Sequence, residues 1–303
     1  MKTLVITGPT AAGKTAVALA LADALPVHLI SADSAMVYRQ MDIGTAKPDA
    51  QTLERYPHAL VDIRDPAEPY TVSEFVADAD REVAVALERG ALPVLVGGSM
   101  MYLKAFREGL DDLPTSTPEV REAVAERARK AGWEALHKEL TAIDQEAAAK
   151  IHPNNPQRLA RALEVHAMTG RPISSFWGSA EGAETRTGTE LIEVLVDVPS
   201  REILHERIAQ RLEEMLREGF VDEVARLRAR PDLHVDLPSM RAVGYRQVWT
   251  HLDGGTDFST MCEQVLAATR GLARKQYTWL RRWPGLQRLD AEDSDTLARL
   301  ILG

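Results

Sequence analysis

Gly8-Pro9-Thr10-Ala11-Ala12-Gly13-Lys14-Thr15 follows directly on the short apolar run TLVITG and leads into an alanine- and leucine-rich helical pattern. The spacing is G-x-x-x-x-G-K-[ST], a phosphate loop between strand and helix. The glycines let backbone N–H groups converge on phosphate oxygens, and the new helix adds its positive end. Lys14 reaches the outer phosphate, and the Thr15 hydroxyl is placed to ligate a divalent ion. By chance such a string arises in about one chain of this size in a hundred. In this setting it is read as the binding loop for a phosphorylated substrate.

Working outward, the first 110 residues alternate strand and helix. A helix is expected from Lys14 to Leu25, then VHLISAD as a strand, a helix from Val72 to Arg89 stopped by Gly90, LPVLVGG as a strand, and SMMYLKAFREGL as a helix. Short β-branched runs alternating with helices imply a parallel sheet with both faces covered and ligands gathered at the carboxyl ends of its strands. The predicted class is therefore α/β, a P-loop NTPase-like parallel sheet with flanking helices.

From Leu113 to Gly178 the strand signal disappears, and PEVREAVAERARKAG, WEALHKEL, DQEAAAKI and PQRLARALEVHAMTG read as successive helices. The division expected is a first part of the core at 1–112, a small all-helical insertion at 113–188, and core completion with basic helices at 189–303. Polar, glycine-bearing GSAEGAETRTGTE (178–190) reads as a flexible return linker. LIEVLVDV resumes the sheet, and the remainder reads as mostly helical. In one helix Leu204, Ile208, Leu212 and Met215 form an apolar stripe. In the helix from Phe258 to Trp283, Arg270, Arg274, Tyr277 and Arg281 share a stripe, and Val265, Leu272 and Trp279 share another.

The 303 residues are 45% hydrophobic and 27% charged, the balance of an ordinary globular protein. No apolar run approaches the roughly 20 residues that span a bilayer, and the amino terminus lacks signal-peptide character. Cys262 is the single cysteine, so no intramolecular disulfide or cysteine zinc site is expected, which fits a cytoplasmic protein. The net charge of −9 is uneven. Between Arg241 and Arg288 eight bases (Arg241, Arg246, Arg270, Arg274, Lys275, Arg281, Arg282, Arg288) face three acids, whereas the tail from Leu289 is acidic through Asp290, Glu292, Asp293 and Asp295 against Arg299. A basic block on an acidic body fits either a polyanion site confined to one face or a solvated helix face.

LPVLVGGS ends in Gly97-Gly98-Ser99 rather than in the aspartate that holds magnesium in common nucleotide hydrolases. The carboxylate nearest the expected site is Asp33, at the end of the second strand. It can ligate magnesium, accept a proton from a nucleophile, or merely cap the next turn. Arg211 taken alone reads as a surface helix residue. His58, Asp62 and His152 are weaker candidates; His58 and Asp62 read as loop or strand-end residues, with no metal site drawn from them.

The phosphate loop together with Ser31-Ala32-Asp33-Ser34-Ala35-Met36-Val37-Tyr38-Arg39-Gln40-Met41-Asp42-Ile43-Gly44-Thr45-Ala46-Lys47-Pro48 resembles the tRNA dimethylallyltransferases, also called tRNA isopentenyltransferases. The likeness continues through Tyr70-Thr71-Val72, Gly97-Gly98-Ser99, Gln157-Arg158-Leu159-Ala160-Arg161, Arg241-Ala242-Val243-Gly244-Tyr245-Arg246 and Arg274-Lys275-Gln276-Tyr277-Thr278-Trp279-Leu280-Arg281, so it covers essentially the whole chain.

This resemblance implies transfer of a dimethylallyl group from dimethylallyl diphosphate to N6 of the adenosine 3′ of the anticodon, in tRNAs reading codons that begin with U. It further implies that Gly8–Thr15 holds the donor's diphosphate, that Mg2+ is the cofactor on Thr15, and that Arg211 adds a cation. Asp33 then takes the N6 proton, and Thr10 helps place the substrates. Implied contacts with the tRNA anticodon stem-loop are Asp33, Ser34, Ala35, Met36, Ser99, Arg121, Gln157–Arg161, Arg241–Arg246 and Arg274–Arg281. A cytoplasmic monomer is implied. Ser99 stands where the family usually has threonine and Ala12 where serine is common; the first keeps the hydroxyl, and the second matters little in a loop acting through its backbone. Trp279, within the basic tract, is the tryptophan picked as a base-stacking candidate.

Three other readings use the same loop: a P-loop kinase for a small metabolite, a prenyltransferase acting on free adenine nucleotide, and a non-enzymatic nucleotide switch or RNA-binding module. None of the three calls for both Asp33 and two separated arginine clusters.

Overall fold

The computed structural model describes residues 1–290; the tail's Glu292, Asp293, Asp295 and Arg299 lie outside the described residues. Two compact units are present, one of Met1–Arg107 with the described residues from Ala183 onward and one of Glu108–Gly182.

The first unit is built on a six-stranded sheet in the order β3-β2-β4-β1-β5-β6, every described pair parallel. Its strands are β1 (Lys2–Thr7), β2 (Val27–Ser31), β3 (His58–Ala59), β4 (Leu92–Gly97), β5 (Glu190–Asp197) and β6 (Gln287–Asp290). Successive side chains enter opposite cores. Val5, Ile30 and Leu95 pack on one face, and Leu4, Ile6, Val94 and Val96 on the other. Burial of each such aliphatic contributes about 1.5–3 kcal/mol, which explains why these runs are apolar throughout rather than alternating.

Helices α1 (Lys14–Ala24), α2 (Ala50–Arg55), α3 (Val72–Glu88) and α4 (Met100–Glu108) accompany the first four strands. α3 starts at a reciprocal cap in which the Thr71 hydroxyl accepts from Glu74 N and Glu74 accepts from Thr71 N. Two edge strands depart from expectation. β3 is too short to show a period, and QRLD carries one apolar anchor, Leu289, which is 2% exposed.

The Glu108–Gly182 unit holds α5 (Pro118–Ala131), α6 (Trp133–Ile143), α7 (Gln145–Lys150) and α8 (Pro156–Thr169), followed by a 3-10 turn at Ile173–Phe176. Val124, Leu136, Leu140, Leu159, Leu163 and Ile173 form its own core. The insertion thus ends before the expected boundary at 188. The stretch read as a flexible linker contains α9 (Ala183–Thr187), which belongs with the sheet: Ala183 is fully buried, and Arg186 pairs with Asp80 and donates to Phe106 O. Thr187 and Thr3 both hydrogen-bond the Thr189 hydroxyl. Polar composition hid a packed segment.

After β5 come α10 (Arg201–Arg217), α11 (Phe220–Arg228), α12 (Tyr245–Leu252) and α13 (Phe258–Leu280). α10 and α13 lie beside the carboxyl ends of the central strands and supply one wall of the site described next.

Candidate active site

The chain leaves β1 at Thr7 and enters α1 at Lys14, with Gly13 as the N-cap at φ 100° and no side-chain cap, so the first-turn N–H groups stay available to an anion. The loop sits directly on β5: a Cβ at Gly8 would lie 2.2 Å from Val196 O. Lys14 Nζ donates to Gly8 O at 3.1 Å and Pro9 O at 2.8 Å. Burial lowers the Lys14 pKa to about 8, with the Asp33 charge opposing the shift and Arg211 adding to it.

Asp33 stands just beyond β2. Its Oδ1 accepts from Ala35 N at 2.8 Å and Met36 N at 3.3 Å, so it does cap the turn. The turn holds the carboxylate in the wall of a cavity of about 470 Å³ that Thr10, Ser99, Arg211, Lys275 and Trp279 also line. Ser99 Oγ accepts from Ser34 N at 2.9 Å and donates to Ser34 Oγ at 3.1 Å, which ties the start of α4 to the Asp33 turn.

Arg211, on α10, is not the surface residue its sequence context suggests. Burial depresses its pKa, and the charges of Glu214 and Asp33 counteract that effect. Phosphate cradle, carboxylate and guanidinium therefore meet at one cavity.

Residues expected to contact RNA divide by burial. Exposed positions on α13 are Arg274, Lys275 and Thr278, with Arg281 just beyond it; Arg241 is exposed in the turn before α12, Arg246 in its first turn, and Ser34 beside Asp33. Tyr245 is 0% exposed yet lies in the cavity wall, and Leu280 is 5% exposed and packs in the core. Tyr277 donates its hydroxyl to Asp197 at 2.7 Å. In the helical unit Gln157 and Arg158 are exposed, Leu159 is fully buried, and Arg161 donates to Ser116 Oγ at 2.5 Å and Pro114 O at 2.8 Å. Arg121 donates to Ser116 O at 2.9 Å.

Two residues escaped the sequence reading of the site. Gln276 was expected at the RNA surface, yet it is 5% exposed and joins the phosphate loop to the end of β4. Its signal was a polar residue on a helix face otherwise marked by Ala273 and Leu280. Glu223, on α11, is 3% exposed and accepts from Asp42 N, Ile43 N and Gly44 N at 3.0, 2.8 and 3.1 Å. It braces the loop whose Gly44, Thr45 and Ala46 line the same cavity. No spacing in the sequence pairs Glu223 with residues about 180 positions earlier.

Among the described residues no group of three or more His, Cys, Asp or Glu side chains is gathered to hold a metal. Oxygens that could share a divalent ion with substrate phosphates include the Thr15 hydroxyl, by its place in the motif, and the Asp33 carboxylate in the cavity wall.

These features define a class, the P-loop α/β proteins that set a phosphate site against a carboxylate. Comparison with known proteins narrows it. The IPP transferase family model matches residues 36–283. The tRNA dimethylallyltransferase 2 of Hahella chejuensis is 50% identical over 96% of this chain and 91% of its own length. The tRNA dimethylallyltransferase of Chromohalobacter salexigens is 52% identical over 98% and 95%. The crystal structure of full-length tRNA isopentenylpyrophosphate transferase from Bacillus halodurans superposes with a TM-score of 0.72 at 34% identity, covering 100% of this chain and 96% of that one. A eukaryotic dimethylallyltransferase acting on tRNA shares the fold, with a TM-score of 0.84 at 22% identity over 99% and 77%. The chain belongs to the IPP transferase family, the tRNA dimethylallyltransferases, and is a prenyltransferase.

Proposed function

We propose that this chain transfers the dimethylallyl group of dimethylallyl diphosphate to N6 of the adenosine immediately 3′ of the anticodon, in tRNAs that read codons beginning with U. The observation that carries this reading is the convergence of the Lys14 cradle, Asp33 and Arg211 on one cavity.

An adenine amine is a weak nucleophile because its lone pair is delocalised into the ring, so the allylic carbon must become electrophilic as the diphosphate departs. The C–O bond to the diphosphate breaks, the N6–C bond forms, and the N6 proton passes to the Asp33 carboxylate. Backbone N–H groups of the loop, Lys14 and Arg211 stabilise the charge gathering on the leaving group. Mg2+, held by the Thr15 hydroxyl and the diphosphate, would add Lewis-acid stabilisation of that charge. Thr10 and Ser99 offer hydroxyls to orient the two substrates.

The acceptor base has to leave the stack of the anticodon loop, at a cost of a few kcal/mol recovered by stacking and backbone contacts. Trp279 in the cavity wall and the exposed Arg241, Arg246, Arg274, Lys275 and Arg281 supply both kinds of contact. No helix among the described residues is long and apolar enough to cross a membrane. A cytoplasmic monomer acting on free tRNA is the working unit of this reading.

Unmodified tRNA incubated with dimethylallyl diphosphate and Mg2+ should yield a dimethylallyl-adenosine on nucleoside mass spectrometry. Modification of free nucleotide alone, or phosphate transfer from ATP to a metabolite, would reject the proposal.

A further inference from the structure

α13 exposes Arg274, Lys275 and Thr278, but the side chain at Gln276 turns inward and is 5% exposed. Its Oε1 accepts from Thr10 N at 2.8 Å and its Nε2 donates to Gly98 O at 2.9 Å. A Cβ on Gly98 would stand 2.5 Å from that Nε2, so the amide is seated directly against backbone. Both hydrogen-bonding ends of one buried amide are therefore engaged, each by a different strand-end loop.

These two loops are the two halves of the site. Thr10 belongs to the phosphate cradle. Gly98 precedes Ser99, whose hydroxyl is bonded to Ser34 beside the Asp33 turn. On the same helix Lys275 and Trp279 line the cavity. Gln276 thus joins α13 both to the phosphate cradle and to the segment whose Ser99 braces the Asp33 turn.

We propose that Gln276 is a positioning residue that couples engagement of RNA on α13 to the geometry of the phosphate loop, making diphosphate binding and RNA binding mutually reinforcing. The inference rests on the prenyl-transfer reading above. Its energetic content is a linkage, so each ligand tightens the other by the same factor. Gln276 acts through its hydrogen bonds to Thr10 N and Gly98 O, at the wall of the same cavity.

The test titrates inorganic diphosphate with Mg2+ into wild type, Q276M and Q276E by calorimetry, with and without an unmodified anticodon stem-loop RNA. Q276M keeps the side chain's length and removes both hydrogen bonds. Q276E keeps an acceptor for Thr10 N but loses the donor to Gly98 O and brings negative charge to the cradle. RNA should tighten diphosphate binding to wild type several-fold. Q276M, melting within about 3 °C of wild type, should bind diphosphate about tenfold more weakly, lose the tightening by RNA, and bind the stem-loop alone within about twofold. Q276E should bind diphosphate more weakly still, and it supplies the same readings if Q276M fails to fold. Unchanged diphosphate affinity and unchanged linkage in either variant overturn the inference, as does weakened stem-loop binding with diphosphate binding intact. A wild type whose diphosphate affinity ignores RNA overturns the coupling. A wild type that binds no diphosphate removes the cradle reading and the inference with it, whereas binding that the variants share equally removes only the inference.

Discussion

The Tyr245 hydroxyl donates to Glu223 Oε1 at 2.5 Å, with both side chains closed to solvent. Burial and the adjacent Glu223 charge push the Tyr245 hydroxyl far above its ordinary pKa, so it stays a donor at any working pH. With three backbone N–H groups on the same carboxylate, the loop at Asp42–Gly44 is anchored by one buried anion.

Y245F removes one hydrogen bond to a buried carboxylate and should cost about 1.5–3 kcal/mol of stability. E223A leaves three N–H groups and a tyrosine hydroxyl without their acceptor, each unmet buried donor costing about 1–3 kcal/mol, so it should destabilise more than Y245F. Chemical denaturation measures both. Folded Y245F should bind tRNA within about twofold of wild type; a large loss would return Tyr245 to the RNA interface.

Asp33 both caps a turn and faces the cavity, so D33N is the clean substitution, since it retains an acceptor for Ala35 N and Met36 N. Turnover should fall by about 10²–10⁴, the usual contribution of a general base, while tRNA affinity stays within about tenfold. Single-turnover prenylation and filter binding separate the two. Wild-type turnover in D33N would remove proton acceptance from its role.

Lys14 sets a pH dependence whose sign follows from burial. Its free-state pKa is about 8, and bound diphosphate favours the ammonium form, so the bound pKa lies higher. Below pH 8 the amine is cationic in both states and its contribution to affinity is constant. Above pH 8 binding must take up a proton, and affinity falls by up to about tenfold per pH unit until the bound pKa is reached. Taking the difference between wild type and K14M at each pH cancels the ligand's own ionisation. A difference that is flat from about pH 6.5 to 9.5 contradicts this account.

Arg281 is exposed immediately after α13. R281A should weaken tRNA binding and lower the slope of log affinity against log salt by about one. A slope equal to wild type would take that end of the helix out of the interface.

The phosphate loop and four of the six strands were legible because their signals are local: a fixed spacing, and apolar runs of five to eight residues. β3 and β6 were not, because an edge strand of two or four residues has no period to detect. The site was legible as residue types and not as burial. Arg211 in isolation resembles any charged helix residue, and Gln276 any member of a basic tract; their surroundings are set by β-strands and loops far away in the chain. Lys47, in the family-like block, shows the same limit. Its side chain is 2% exposed and bonds Asp42, Asp62 and Tyr38 O, so this lysine is a buried tether that no local pattern announces.

β1 lies between β4 and β5, and its second neighbour is 188 residues later in the chain, Lys2 pairing with Glu190. Val196 forms the floor on which Gly8 rests. During vectorial synthesis the opening strand therefore waits for most of the polypeptide to emerge, and a nascent chain lacks a finished anion cradle until residue 197 has left the ribosome. A chain interrupted short of β5 would carry the complete motif string without the support that gives the motif its shape.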